Sequence, residues 1–238
     1  MTAFIDYKSP EKDILLSIFK EYPLMDSLNI SSIIENMIYE EVEEYYDDGS
    51  LMCKYTLRFG EKEGLYGQWF ENGKKHIEST YVNGEKDGLY QIWWDNGQKR
   101  EECHYRDGKL EGLYQEWFEN MNVSGNGQKH VECTYRDDKR DGLYQAWFDN
   151  GQKWVEYNYR DGKLEGLYRE WFDNGQKWVE CNCRDGKLEG VYQQWWDNVQ
   201  KWVECTYRDD KRYGLYQEWD REGNLIEECR YRDGVEVI

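Results

Sequence analysis

Proline is nearly absent from this chain of 238 residues, which has two in all, Pro10 and Pro23. Because proline cannot donate a ladder hydrogen bond, its absence after Pro23 permits an uninterrupted β-sheet. Histidine is also scarce, with three residues, which leaves few groups for metal binding or acid–base catalysis near neutral pH. No stretch approaches the roughly 18 apolar residues of a membrane-spanning helix. The N-terminal sequence MTAFIDYKSPEKD carries charge before any apolar run, unlike a signal peptide.

Basic residues are fewer than acidic residues. The chain has 31 lysine and arginine residues against 49 aspartate and glutamate residues, a formal net charge of −18. Such an acidic surface repels phosphate backbones and anionic lipid headgroups, so we expect neither nucleic acid nor a membrane as the partner. Aromatic residues, in contrast, make up 17% of the chain, which is too many for a disordered protein.

The aromatic residues follow a repeat. The motif Gly-Leu-Tyr or Gly-Val-Tyr recurs at steps of 24 residues, with one step of 30 that contains a six-residue insert at 121–126. A fixed period over most of a chain is the signature of a repeat architecture. The motif begins at Gly64, Gly88, Gly112, Gly142, Gly166, Gly190 and Gly214.

Each period predicts one β-hairpin. It holds two short aromatic runs, such as 143–148 and 154–159, with Asn150-Gly151 between them. Asn-Gly in this place predicts a two-residue type I′ turn, in which both central residues have positive φ. We therefore expect eight hairpins from about Glu41 onward, paired side by side in one antiparallel sheet. Val199 replaces a turn glycine, and we expect that turn to be distorted because a β-branched residue resists positive φ.

The predicted register assigns the tryptophans to one face. A two-residue turn would set Trp147 opposite Trp154, and the equivalent pairs likewise. The opposite face, with Tyr144, Phe148 and Val155, is more uniformly apolar and is predicted to be the core. Tryptophan is a favoured interface anchor, although such pairs can also simply staple a hairpin. The candidate partner-binding residues are Trp147, Trp154, Trp171, Trp178, Trp195 and Trp202.

The cysteines and histidines do not suggest a reactive site. Equivalent positions in adjacent hairpins lie about 9.6 Å apart, beyond the roughly 7 Å Cα limit of a disulfide. The cysteines are therefore predicted to be small core residues in a reducing compartment. His76 and His130 take the place of Trp154 and are predicted to face a tryptophan rather than a metal. No nucleophile motif or phosphate loop is present, so we expect no cofactor and no catalysis. Five cysteines share one repeat position: Cys103, Cys133, Cys181, Cys205 and Cys229.

The pattern G-L-Y-x-x-W-F-x-N-G-x-K, followed by Y-x-x-G-x-x-x-G, resembles the MORN repeat in the variant form of YwqK-type proteins. Similar arrays are found in large DNA viruses of amoebae. The resemblance implies a mainly β fold over residues 41–238: an elongated single-layer antiparallel sheet of tandem 24-residue hairpins. It also implies a non-catalytic scaffold for protein–protein interaction. We expect a cytoplasmic protein, in the host cytoplasm if the chain is viral.

Residues 1–40 do not follow the repeat pattern of residues 41–238. Ser9-Pro10 and the capping box that begins at Ser32 predict a small helical cap, which would shield the first strand from edge pairing. The segment ILLSIFKEYPLMDSLNISSII, residues 14–34, also resembles an F-box motif. That resemblance implies an alternative function: a substrate adaptor that binds the linker subunit of a cullin ubiquitin ligase, while the sheet binds the target. The candidate hook residues are Leu15, Ile18, Phe19, Pro23 and Leu28.

Overall fold

A computed structural model describes residues 38–119 and 127–237. These residues form one open antiparallel sheet of 19 strands. The strands are β1 (Tyr39–Tyr45), β2 (Leu51–Arg58), β3 (Glu61–Trp69), β4 (Lys75–Val82), β5 (Glu85–Trp93), β6 (Lys99–Arg106), β7 (Lys109–Leu110), β8 (Gly112–Trp117), β9 (Lys129–Arg136), β10 (Lys139–Arg140), β11 (Gly142–Trp147), β12 (Lys153–Arg160), β13 (Lys163–Trp171), β14 (Lys177–Arg184), β15 (Lys187–Trp195), β16 (Lys201–Arg208), β17 (Lys211–Trp219), β18 (Leu225–Arg232) and β19 (Val235–Val237).

Successive strands pair in chain order, so the prediction of one sheet of tandem hairpins is confirmed. The short strands β7 and β10 precede β8 and β11 and pair with the same neighbours, β6 and β9. The F-box-like segment and residues 1–37 of the predicted helical cap lie outside the described residues, whereas Tyr39 and Glu40, which were predicted to belong to the cap, are the first residues of β1. The insert at 121–126 lies outside them as well.

The two kinds of hairpin connection differ from the prediction. At Asn150-Gly151 the N–H of Gly151 donates to the carbonyl of Phe148 at 3.0 Å, and the N–H of Phe148 donates to that of Gln152 at 2.9 Å. In this loop only Gly151 has a positive φ, of 85°. This is a three-residue loop, a type I turn followed by a left-handed glycine, so the predicted two-residue turn is wrong.

The type I′ turn lies instead at the other end of each hairpin unit. Asp161 and Gly162 have φ of 50° and 80°, between the paired residues Arg160 and Lys163. Asn150 suits the longer loop because its side-chain oxygen accepts the Gln152 N–H at 2.9 Å. Its amide also donates to a carbonyl in the next hairpin's loop at 2.7 Å. The asparagine therefore ties neighbouring hairpins together.

The loop that contains Val199 keeps this same geometry. Val199 adopts a φ of 64°, and its N–H donates to the Trp196 carbonyl at 3.0 Å, as the glycines do in other loops. The expected distortion of the turn is therefore wrong. The unfavourable left-handed conformation is confined to the valine itself.

The longer loop changes the register of every hairpin. Ala146 pairs with Val155 and Trp147 with Lys153, which leaves Trp154 as the extra residue of a β-bulge. The predicted pairing of Trp147 with Trp154 is therefore wrong, and the same shift occurs in the equivalent hairpins. In the three hairpins that have a tryptophan at both positions, the bulge places the two side chains in different surroundings.

The core lies on one side of the sheet, which we call the tyrosine face. It is defined by Tyr66, Tyr90, Tyr114, Tyr144, Tyr168, Tyr192 and Tyr216 and the residues that share their side of each strand. Small side chains are buried between these rings: Cys103 is 1% exposed and Ala146 0%. Val131, Cys133, Ala146 and Val155 form one such cluster, flanked by five tyrosines. The predicted core face is confirmed.

The cysteines are free thiols, and in the described part of the chain all but Cys229 are buried. Burial raises the pKa of Cys103 to about 12, and that of Cys133 and Cys205 to about 11. These thiols are therefore protonated at neutral pH and act as small apolar groups, as predicted.

Candidate functional site

The opposite side of the sheet carries a second aromatic row, and we call it the tryptophan face. In six hairpins the register places the tryptophan that ends the first strand on this side, opposite a lysine, and in the last hairpin Trp219 pairs with Leu225 instead. The row consists of Trp69, Trp93, Trp117, Trp147, Trp171, Trp195 and Trp219, all partly buried.

Lysines connect these tryptophans from one hairpin to the next. The Nζ of Lys153 lies 5.6 Å from the ring centroid of Trp171, and that of Lys177 lies 5.0 Å from Trp195. Four further pairs of the same kind lie at 5.3 to 5.8 Å. A cation within about 6 Å of an aromatic face is attracted by the ring quadrupole. The contacts therefore hold the indole rings in a regular row.

Each lysine also forms an ion pair on its own strand. Lys153 contacts Glu156, and the Gln145 amide donates to the same carboxylate at 2.7 Å. The hydrogen bond from Lys153 holds the pKa of Glu156 below its ordinary value. The equivalent lysines lower the pKa of Glu102, Glu132, Glu180 and Glu204. The tryptophan face thus carries a repeated Trp–Lys–Glu network.

A row of aliphatic side chains runs beside this network. Leu113 and Leu143 lie on the same side of the strands, opposite Thr134 and Asn158, and are 45% and 43% exposed. Equivalent residues two strands away are about 9.6 Å distant, so the row is regular. The exposed members are Leu65, Leu89, Leu113, Leu143, Val191 and Leu215.

The six predicted tryptophans divide between the two faces. Trp147, Trp171 and Trp195 lie on the tryptophan face. Their predicted partners lie near the loops on the tyrosine side, where they pack against the aromatic residue that follows the first strand. The ring centroids are 5.9 Å apart for Phe148–Trp154, 5.9 Å for Phe172–Trp178 and 4.4 Å for Trp196–Trp202.

The histidines follow the same corrected register. His76 stacks on Phe70 with centroids 4.2 Å apart, and His130 lies 4.2 Å from Phe118. The prediction that they face a tryptophan is therefore wrong. Burial lowers the pKa of His76, which favours its neutral form. Within residues 38–119 and 127–237, no group of three histidine, cysteine or acidic residues could hold a metal ion.

The lysine and glutamate of the network were not predicted as functional residues. Their signal is nevertheless present in the sequence, as Gly-x-Lys-x-x-Glu in phase with the repeat, for example Gly151, Lys153 and Glu156. The lysine–tryptophan contact cannot be predicted from a single 24-residue period, because each lysine contacts the tryptophan of the following hairpin.

An open sheet of tandem hairpins with one buried and one solvent-facing side is a β-repeat scaffold. A family model described as MORN repeat variant matches five segments, and the chain is therefore a MORN-repeat protein. The matched segments are residues 62–83, 86–107, 140–161, 164–182 and 212–233. A search of the curated proteins finds no match to the chain. In the described residues, no helix has the length and apolar character to cross a membrane.

Proposed function

We propose that this protein is a non-catalytic scaffold that binds a protein partner through its tryptophan face. The observation that carries the proposal is the regular row of exposed aliphatic residues beside partly buried tryptophans. Apolar side chains exposed on one face of a soluble protein are candidate interaction sites, and tryptophan is enriched among interface anchors. MORN repeats are generally non-catalytic scaffolds, which supports the same conclusion.

The face is organised before any partner arrives. Each indole on this face from Trp93 to Trp219 is contacted by a lysine, and each of those lysines is fixed by a glutamate. Binding to side chains that are already ordered loses less conformational entropy than binding to mobile ones. The anchors of this proposal are Trp147, Trp171 and Trp195, together with the aliphatic row.

The hairpin-loop tryptophans have a structural role in this proposal. Trp202 packs against the buried cluster of Val203, Cys205 and Tyr216, and its indole N–H donates to Glu218 at 3.2 Å. Trp154 packs against Phe148 with tilted rings although it is 43% exposed. These contacts support a stapling function for the bulged tryptophans.

The charge of the chain narrows the partner class. The formal net charge is −18, and exposed acidic residues occupy both kinds of loop, for example Asp149 and Asp161. Electrostatic complementarity favours a partner with a basic rim around an apolar contact surface. The same charge opposes binding to anionic membranes, as predicted from the sequence.

Site-specific photo-crosslinking tests the proposal. A benzophenone amino acid at Leu143 reports on the tryptophan face, and the same group at Trp154 is a control of equal exposure on the other side. We expect a discrete crosslinked protein from Leu143 and none from Trp154, identified by mass spectrometry. Excess unlabelled protein should compete for it, whereas protein with Leu113→Thr and Leu143→Thr should not. Crosslinks from Trp154 alone would reject the tryptophan face as the binding surface.

The adaptor alternative depends on residues outside the described structure and stays a prediction. Its test uses the full chain with Ile18→Asp and Phe19→Asp, compared with the unmodified chain in a pull-down with the purified ligase linker subunit. Retention by the unmodified chain and loss in the variant would support the F-box role. Binding to neither chain would leave the scaffold role and remove the adaptor role. The cytoplasmic location is likewise proposed, and microscopy of a tagged chain in the source cell tests it.

A further inference from the structure

One hairpin lacks an aromatic ring that the equivalent hairpins have. Six hairpins place a tyrosine opposite the first glycine of the Gly-Leu-Tyr motif, on the tyrosine face. In the hairpin of β13 and β14, Cys183 pairs with Gly166 instead. The six tyrosines are Tyr81, Tyr105, Tyr135, Tyr159, Tyr207 and Tyr231.

The tyrosine at this position normally packs edge-on against a neighbouring ring. The centroids of Tyr192 and Tyr207 are 5.6 Å apart in a T-shaped contact, and those of Tyr114 and Tyr135 are 5.7 Å apart. Tyr168 is the equivalent first-strand residue beside Cys183. It stacks on Tyr157 at 5.2 Å, and a thiol holds the position of its edge partner.

The cationic neighbours of this position are replaced as well. Arg140 donates to the hydroxyls of Tyr135 and Tyr159, at 3.3 and 3.4 Å. Beside Cys183 the equivalent places are taken by Leu164 and Leu188, of which Leu188 pairs directly with Cys183. Cysteine in place of tyrosine removes volume and leucine in place of arginine removes charge, so the thiol has less polar neighbours than the repeat tyrosines have.

A cavity of about 360 Å³, broadly open to solvent, occupies this region, and its lining includes Leu164, Tyr168, Cys181, Cys183, Leu188 and Tyr192. Small-ligand pockets start at about 300 Å³, so its size suits a small ligand. Both thiols are buried, at 4% and 8% exposure. Glu170 also lines the cavity, where its carboxylate accepts a hydrogen bond from Tyr168.

We propose that this cavity binds one small, uncharged aromatic ligand, of the size of cresol. Its ring takes the place of the missing tyrosine, with Tyr168 and Tyr192 beside it and the two thiols against it. Edge-to-face ring contacts and sulfur–aromatic contacts both favour an aromatic ring over an aliphatic one of equal size. The ring alone fills the space of the missing tyrosine ring, and a polar substituent on the ligand points to solvent.

Titration of the full chain with p-cresol, followed by saturation-transfer NMR, tests the proposal. We expect saturable binding by the unmodified protein and binding about fivefold weaker for 4-methylcyclohexanol, the aliphatic match. Cys183→Tyr restores the repeat residue and fills the cavity, so it should weaken p-cresol binding by at least about tenfold. Equal binding by Cys183→Tyr and the unmodified chain would overturn the proposal.

A protection experiment decides the matter if Cys183→Tyr folds poorly. N-ethylmaleimide labelling of the unmodified chain is followed at each cysteine by peptide mapping. Saturating p-cresol should slow labelling of Cys183 and leave Cys229, which does not line the cavity, unchanged. Labelling of Cys183 at the same rate with and without p-cresol would contradict a ligand in this cavity.

Discussion

The two faces of the sheet are made by the same strands but bury different kinds of side chain. On the tyrosine face, residues as small as Cys103 and Ala146 are fully covered, because the large rings on adjacent strands meet above them. On the tryptophan face, the aliphatic row stays exposed, and lysines contact the indole rings from Trp93 to Trp219.

This difference shows how the sheet formed by residues 38–119 and 127–237 can be stable although these residues supply no second layer. The tyrosine rings act as the missing layer, since ring edges and faces pack against each other at 4.7 to 6.0 Å. The other face is then free to remain a surface. Perturbations that act on only one face can therefore separate folding from binding.

The largest expected effect comes from alkaline pH, which acts on the tyrosine face. Burial raises the pKa of Tyr66 to about 12, and it also raises the pKa of Tyr90, Tyr144 and Tyr192. Unfolded tyrosine titrates near pH 10, so stability from these groups is complete below about pH 10 and is lost as pH rises through the folded pKa. We expect cooperative unfolding between about pH 10 and 12, measured by circular dichroism with tyrosinate absorbance. Because Tyr39 and Tyr45 are exposed, partial absorbance with an intact sheet is expected, whereas tyrosinate absorbance of the full tyrosine content at pH 10 with the sheet intact would contradict the buried tyrosine face.

An aspartate introduced on each face should give the next largest effect, a difference in the free energy of unfolding between the two variants. Cys103→Asp buries a carboxylate at a site 1% exposed, and it should lower the free energy of unfolding by about 3 kcal/mol or more. Leu113→Asp adds the same charge at a site 45% exposed, and it should change stability by less than about 0.5 kcal/mol. Urea unfolding measures both. Cys103→Ser is the conservative control, because Ser79 is accommodated at the equivalent position. Similar losses for the two aspartate variants would remove the distinction between the faces.

Removal of the unfavourable left-handed conformation of Val199 should have a moderate effect on stability, and this effect does not distinguish the two faces. Val199→Gly should stabilise the protein by about 1 kcal/mol, because the conformational relief exceeds the entropic cost of glycine. The reverse change, Gly151→Val in an equivalent loop, should destabilise it by about 1 to 2 kcal/mol. Thermal unfolding of both variants checks this, and no change in either would show that the loop relaxes around the side chain.

Loss of one lysine on the tryptophan face should have the smallest effect. Lys153→Met removes the ion pair with Glu156 and the cation–π contact with Trp171, and we expect a loss of about 0.5 to 1 kcal/mol. Lys163→Met, at an exposed position, is the matched control. The depressed pKa of Glu156 means that its contribution is present above about pH 4.3 and is lost as pH falls through the lower folded value. The difference between the two variants should therefore shrink in acid, and a constant difference would rule out the ion pair as its source.

Much of this architecture could be predicted from period and motif. The recurrence of Gly-Leu-Tyr and the near absence of proline predict tandem hairpins, and the apolar side of each run predicts the tyrosine face. The register could not be predicted, because Asn-Gly is compatible with a two-residue turn and with a three-residue loop. Here Asn150 caps its own loop and bonds to the next hairpin, which favours the longer one. Because the loop has three residues instead of two, Trp147 pairs with Lys153 and not with Trp154.

The assignment of the binding surface was limited by the same error. The two-residue turn predicts six tryptophans on one face, of which the structure places Trp147, Trp171 and Trp195 on the tryptophan face. The exposed leucines drew no attention because one leucine per period looks like an ordinary strand residue. Their alignment into a row depends on how neighbouring hairpins pair, which is a property of the assembled sheet.

The central claim is that the aliphatic row on the tryptophan face is a surface for a partner and contributes little to the fold. The most direct test is the triple variant Leu65→Thr, Leu113→Thr and Leu143→Thr, compared with the unmodified chain by urea unfolding and by crosslinking from position 167 on the same face. We predict an unfolding free energy within about 1 kcal/mol of the unmodified chain, together with loss of the crosslinked partner. A loss of several kcal/mol would show that these leucines are buried in the folded protein, and it would contradict the claim.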